Sequence, residues 1–445
     1  MKRQVIVVGG GTAGLITALS LLRESPGVPV SVIRSKAMGH IMVGEGTFAA
    51  TPRFIHDYLA ISREDFYRDV NPTWKLGVRF EWGPRPYFDY PFPFAVQQDN
   101  QILPSSSKGW GYYGLHECKL PATARETPEA IEARLRNGSG YHFENQRFVE
   151  LLERRFEALG GELIDATVVS GLANHDGVRN ITLHTGEVRE ADFFVDASGF
   201  SGRLINGMLD EPYVDMRKHL FCDKAVVGGW ERARDEPVRL YTTVETMDAG
   251  WCWRIEHERF VNRGYVHCSA FISEDQAIAE YLAKNPRVDP SRIRIVPFET
   301  RHIRHAWVKN VIAVGNACGF VEPLEATNIQ LICNQARLLA EGLAQEEITP
   351  QTVANFNAET TRQWANIRDF LAMHYRFNER LDTPFWQTAR RETPLGDLEE
   401  YIQAYRHGGP LLLSGERMSN YMFGHDGCLA ILLGMQVPWA SCAVR

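Results

Sequence analysis

A chain of 445 residues with 44% hydrophobic and 23% charged side chains has the balance of a folded globular protein, and it is long enough to bury a large cofactor between two joined units. A formal net charge of -7 argues against nucleic acid as the main partner. Eight cysteines without a C-x-x-C pair speak against a zinc site or a disulfide framework, so no metal is expected, and no apolar stretch is long enough to cross a bilayer.

The chain starts on a basic residue pair and an apolar run, as a secretory leader does. A glycine triplet breaks that run and no small-residue cleavage site follows, so a cytoplasmic protein is expected. Gln4 to Val8 reads as a strand, Thr12 to Arg23 as a helix and Pro29 to Ile33 as a second strand, together a βαβ unit. Between strand and helix, Gly9-Gly10-Gly11-Thr12-Ala13-Gly14 satisfies G-x-G-x-x-G. Gly9 permits the tight turn, Gly11 lets a pyrophosphate approach the backbone, and Gly14 lets helix and strand pack closely, while the helix N-terminus attracts phosphate charge. A glycine-rich surface loop is the competing reading, at roughly one in ten. About 20 residues past the last glycine, where such sites usually offer an acid to the ribose hydroxyls, stands Arg34. Arginine there suits either the 2′-phosphate of NADP or a weakened hold on FAD.

Residues 82–125 are rich in proline, glycine, serine and aromatics, among them Phe88, Tyr90, Phe92, Phe94, Trp110, Tyr112 and Tyr113, and predict a loop-like cover. Asp192 to Asp196 and Val311 to Val314 read as strands that end in small residues, Ala197-Ser198-Gly199 and Gly315-Asn316-Ala317, where a ligand can approach the backbone. From about residue 350 the pattern is mainly helical, and there is no internal repeat or low-complexity tract.

Val43-Gly44-Glu45-Gly46-Thr47, Asp196-Ala197-Ser198-Gly199 and Gly315-Asn316-Ala317, taken with the glycine loop, resemble the flavin-contacting motifs of FAD-dependent monooxygenase-like folds, which favours FAD over NADP. More narrowly, Trp251-Cys252-Trp253-Arg254-Ile255 resembles the W-x-W-x-I signature of flavin-dependent tryptophan halogenases. Trp74-Lys75-Leu76-Gly77, Glu322-Pro323-Leu324-Glu325-Ala326-Thr327, Arg368-Asp369-Phe370 and Asp382-Thr383-Pro384-Phe385-Trp386 are similar to further segments of that family, in its order. The resemblance implies an α/β fold with an FAD-binding, glutathione-reductase-like (Rossmann-type) module made of residues 1–81, 145–210 and 290–345. Interleaved with it would be a mixed-sheet and mainly helical substrate module made of residues 82–144, 211–289 and 346–445.

The same resemblance puts FAD against Gly9, Gly11, Thr12, Ala13 and Gly14, against Arg34, against Gly44, Glu45, Gly46 and Thr47, and against Asp196, Gly315, Asn316 and Ile329. Reduced FAD, delivered by a separate flavin reductase, and oxygen would turn chloride or bromide into hypohalous acid that travels down a tunnel to the substrate. Lys75 matches the family's catalytic lysine, which holds the hypohalous acid and delivers halogen to one carbon, and Glu325 matches the glutamate that takes the ring proton. The backbone amides of Thr327 and Asn328 match the halide site, at a helix start that favours anions. Asn328 stands where the family usually has glycine, and asparagine tolerates left-handed backbone. From composition alone, Lys75 is an ordinary strand lysine, Glu325 an acid complementing a helix dipole, and Trp251 and Trp253 a core pair spaced by two.

The chain departs from the tryptophan enzymes near His425-Asp426-Gly427-Cys428, where their backbone-gripping tyrosines are absent, and it stops ten residues after Met435. A more open pocket is expected. It would take an electron-rich ring, indole-like, pyrrole-like or phenolic, free or carried on a peptide or carrier, with Phe88, Tyr90, Phe92 and Trp110 as its stacking surface. A dimer is the expected assembly. Two alternatives stay open: an FAD-dependent aromatic monooxygenase, and a flavin-binding paralogue without halogenating activity.

Overall fold

The computed structural model describes residues 3–36, 44–92, 138–407 and 422–438. Its first sheet has six strands in the order Trp307–Val308, Val311–Ala313, Phe193–Asp196, Val5–Val8, Val30–Arg34 and Glu162–Asp165, parallel throughout except for the Trp307–Val308 hairpin. Val5–Val8 is buried at all four positions, the pattern of an interior strand in a parallel sheet. The Thr12–Glu24 helix packs against the Asn145–Ala158 and Asn328–Leu343 helices. The four strands and the first helix read from the sequence each fall within one residue of their observed ends. The carboxyl ends of Val5–Val8 and Phe193–Asp196 run into Gly9 and Ala197, and Val311–Ala313 reaches Gly315 through Val314. Three small-residue turns therefore collect at the carboxyl ends of the parallel strands, where ligands of such folds bind.

The second sheet has seven strands in the order Arg294–Pro297, Lys224–Glu231, Phe260–His267, Gly250–Glu256, Thr242–Met247, Gly77–Glu81 and Phe88–Pro91. Neighbours are antiparallel except for Thr242–Met247 and Gly77–Glu81, which run parallel with Thr242 opposite Val78. A small sheet of Glu45–Gly46, Gly140–Phe143 and Thr73–Lys75 sets Lys75 opposite Gly140.

The loop-like cover expected from residue 82 onward holds over residues 82–87, which are neither helix nor strand, but not over residues 88–91. Phe88–Pro91 is a strand buried at all four positions and paired with Gly77–Glu81. Proline and aromatic content suggested a loop, but Pro91 ends an edge strand, where a missing N–H costs the least. Phe94, Trp110, Tyr112 and Tyr113 lie outside the described residues.

Past residue 350 come the Pro350–Phe377, Pro384–Glu392, Glu399–His407 and Gly424–Gly434 helices, as expected. Thr349 and Thr383 cap the first two by accepting the amide N–H groups of Thr352 and Trp386, each with proline at the first helical position. Among the described residues no helix is long and apolar enough to cross a membrane.

Candidate functional site

A cavity of about 600 Å³ runs from the glycine loop to Lys75, within the range of cofactor sites. The three motif glycines are needed for different reasons. A Cβ on Gly9, at φ 123°, would sit 2.1 Å from the Ala197 carbonyl oxygen, and one on Gly14 only 1.8 Å from the Gly9 carbonyl oxygen. Both are packing requirements. Gly11 has nothing within 4 Å of that position, so its missing side chain serves whatever approaches from the cavity. No side chain caps the Thr12–Glu24 helix, which leaves its first amide N–H groups for an anion. That cradle fits the pyrophosphate of FAD.

Other residues expected at the cofactor divide into lining and support. Thr12, Ala13, Arg34, Gly44, Glu45, Gly46, Asn316 and Ile329 line the cavity. Asp196 works from behind: its carboxylate accepts the amides of Leu204 at 2.7 Å and Ile205 at 2.9 Å and the Ser198 hydroxyl at 2.6 Å. Thr47 likewise accepts the Tyr141 amide at 2.8 Å. Gly315, at φ 58°, packs where a Cβ would meet Ala13 at 2.5 Å. The Glu45 carboxyl, stripped of solvent, is pushed up to about 7. Arg34 lies against Glu153, its Nε 2.9 Å from the carboxylate oxygen Oε1. Nothing in the sequence pairs these two, because Glu153 comes from the distant Asn145–Ala158 helix.

At the inner end, Lys75 is fully buried and its Nζ has no hydrogen-bond partner. The ammonium lies 5.1 Å from the centre of the Phe92 ring and 3.5 Å from where a Cβ on Gly46 would stand. Burial lowers Lys75 from 10.5 to about 8, and the Glu325 charge partly opposes that shift. Glu325 is also fully buried; its Oε1 is 2.8 Å from His374 Nε2, and its Oε2 has no partner. His374 Nδ1 lies 2.8 Å from the Phe370 carbonyl oxygen, which can only accept. Nδ1 therefore carries hydrogen, and a second proton must sit between Nε2 and the carboxylate. Sequence reading missed His374, a lone histidine on a long helix. Beside them, His142 bonds Thr242 Oγ1 through Nε2 at 2.8 Å, and burial followed by the Lys75 charge keep it neutral.

Thr327 starts the Asn328–Leu343 helix without a side-chain cap, and Asn328 lines the cavity as its first helical residue. The left-handed backbone expected at Asn328 belongs instead to Ala326, at φ 55°. Trp253 and Ile255 line the cavity from one face of their strand, whereas Trp251 is fully buried, 6.0 Å from Trp253. Among the aromatics expected at the substrate, Phe92 faces Lys75 and meets Phe48 at 5.5 Å, with Phe423 a further 5.9 Å along and stacked on Phe370 at 3.7 Å. Phe88 and Tyr90 instead pack against Gly434 and Gly427 of the Gly424–Gly434 helix. Trp110 is outside the described residues.

The sequence profile of the tryptophan halogenase family matches residues 4–442. The chain is 30% identical to tryptophan 6-halogenase ThaL of Streptomyces albogriseolus, over 92% of this chain and 83% of ThaL. It is 29% identical to tryptophan 7-halogenase RebH of Lentzea aerocolonigenes, over 91% of this chain and 82% of RebH. Among solved structures, MibH, a lathipeptide tryptophan 5-halogenase, superposes with a TM-score of 0.87 at 34% identity, over 98% of this chain and 86% of MibH. BrvH, a flavin-dependent halogenase from Brevundimonas sp. BAL3, superposes with a TM-score of 0.84 at 29% identity, over 99% of this chain and 91% of BrvH.

Proposed function

We propose, from the premise that the chain belongs to the tryptophan halogenase family, that this flavin-dependent enzyme uses chloride or bromide, reduced FAD and oxygen to halogenate an electron-rich aromatic ring, foremost an indole. The observation that carries the reading is the burial of Lys75 in a cavity that also reaches the glycine loop, with Glu325, 250 positions away in the sequence, buried close enough for its charge to act on the ammonium. When bound, reduced FAD would supply the two electrons that activate oxygen, so that one oxygen atom leaves as water and the other oxidises the halide to hypohalous acid.

The chain's own groups do the rest. The amides at Gly11 and Thr12 hold the pyrophosphate, and those of Thr327 and Asn328, at a second helix start without a side-chain cap, hold the halide. Lys75 Nζ, without another hydrogen-bond partner, donates to the hypohalous acid and aims its halogen at one ring carbon. Glu325 Oε2 takes the proton that the ring releases, while His374 orients the carboxylate through Oε1. Trp253 and Ile255, which line the cavity, keep the ring from the flavin. A separate reductase supplies the reduced flavin. ThaL and RebH are tryptophan halogenases, and the likeness to MibH, a lathipeptide tryptophan halogenase, adds tryptophan within a peptide as a substrate form.

The test combines the chain with a flavin reductase, NADH, FAD and either halide, and offers free tryptophan, a tryptophan-containing peptide and a phenol. Mass analysis should find a halogen isotope pattern on an indole. A product heavier by one oxygen would mean a monooxygenase, and unaltered substrates throughout would remove the halogenase assignment.

A further inference from the structure

The one departure from the dinucleotide pattern has a structural answer. A guanidinium has five donors and no acceptor, so Arg34 cannot receive hydrogen bonds from ribose hydroxyls as the usual acid at that strand end does. Its Nε is 2.9 Å from Glu153 Oε1, and the side chains of both residues are about four-fifths buried. Both line the cavity, together with the glycine loop. Arg34 is packed tightly over the phosphate loop, since a Cβ on Gly10 would come within 2.2 Å of its own Cβ. The Asn145–Ala158 helix that bears Glu153 is tied to the same loop, where the Thr12 hydroxyl donates to Asn145 Oδ1 at 2.6 Å. Asn145 and Glu153, eight residues apart, lie about two turns along one side of that helix, so the tie fixes where the carboxylate stands.

We propose that Glu153 is the ribose-binding acid, relocated from the strand to the helix, and that the Arg34–Glu153 pair selects an adenosine with a free 2′-hydroxyl. The inference rests on the reading of this cavity as an FAD site. A carboxylate has about four lone-pair sites, so Glu153 can accept from ribose hydroxyls while paired with Arg34. Arg34 in turn has its charge balanced by Glu153 and offers no net attraction to a 2′-phosphate, which carries roughly -1.5 to -2 at neutral pH and meets the like charge of Glu153. An unpaired arginine at this place would do the reverse. The adenosine of FAD has the free hydroxyl that the pair accepts.

Fluorescence titration of the cofactor-free chain with FAD, with ADP-ribose and 2′-phospho-ADP-ribose as competitors, tests this without any turnover. In the natural chain ADP-ribose should displace FAD at a concentration at least about tenfold lower than its phosphorylated form does, a difference on the order of 1.4 kcal/mol. Glu153→Gln should weaken FAD binding about tenfold and cancel or invert that preference. Glu153→Asp, which keeps the charge but draws it back, should weaken FAD binding yet retain discrimination against the phosphate, and it serves if the glutamine variant fails to fold. Equal FAD affinity and unchanged preference in a folded Glu153→Gln variant would overturn the clamp. Failure of FAD to bind the natural chain would instead overturn the reading of the cavity itself.

Discussion

The role proposed for Lys75 requires a proton in a place that disfavours charge. With burial holding it near 8, the ammonium predominates below that pH and the neutral amine above it. Halogenated product per flavin oxidised should therefore fall as pH rises through about 8, read as product formed against oxygen consumed. A flat ratio would take the ammonium out of the mechanism. Lys75→Ala should abolish halogenation and leave flavin reoxidation intact; joint loss of both would make the lysine structural. His374→Gln should cut halogenation by roughly 10²-fold, the scale of a positioned acid–base group, without changing FAD affinity measured by fluorescence. Lys75 and Glu325 were legible only through the motifs around them, since a strand lysine and a helix-start acid are ordinary by themselves. His374 and Glu153 were not legible: helical periodicity says which residues share a face but not what that face meets, and each partner lies far away in sequence.

At the scale of elements, the glycine loop separates residues that shape the fold from those that make room for a ligand. Gly11→Ala has space for its methyl group at a backbone already extended, so the variant should keep its melting temperature and lose most FAD affinity. Gly14→Ala places its methyl against the Gly9 carbonyl and should leave little folded protein, read by circular dichroism. If both variants fold and bind alike, the loop has been misassigned. This βαβ unit was legible to within a residue, because apolar periodicity, glycine spacing and helix start all agree. Phe88–Pro91 was not, because local composition signals a turn while pairing with Gly77–Glu81 makes it a strand.

For the molecule as a whole, buried acids set how stability responds to pH. Glu322 is fully buried among Tyr375, Trp251 and Cys222, and desolvation pushes it from 4.5 up to about 7. An acid with a raised folded pKa holds its proton longer when folded than when unfolded, so the stability it contributes is complete below about 4.5 and is lost as pH rises through 7. Glu322→Gln should flatten that decline, on the order of 2–3 kcal/mol, in denaturant titrations at pH 5 and pH 8. An unchanged slope would assign the decline elsewhere, with Glu45 next in line.

The parallel pairing of Gly77–Glu81 with Thr242–Met247 carries a consequence for how the chain is made. The strand just past Lys75 leaves the ribosome with one long edge bare, and so does Val5–Val8 until Phe193–Asp196 arrives. The second gap stays open until residue 193 and the first until residue 242, past the midpoint of the polypeptide, which favours slow folding and exposes sticky β edges to neighbouring chains meanwhile. Cool, unhurried synthesis should raise the yield of soluble material, and a nascent chain cut short before residue 242 leaves the strand that follows Lys75 open along that edge.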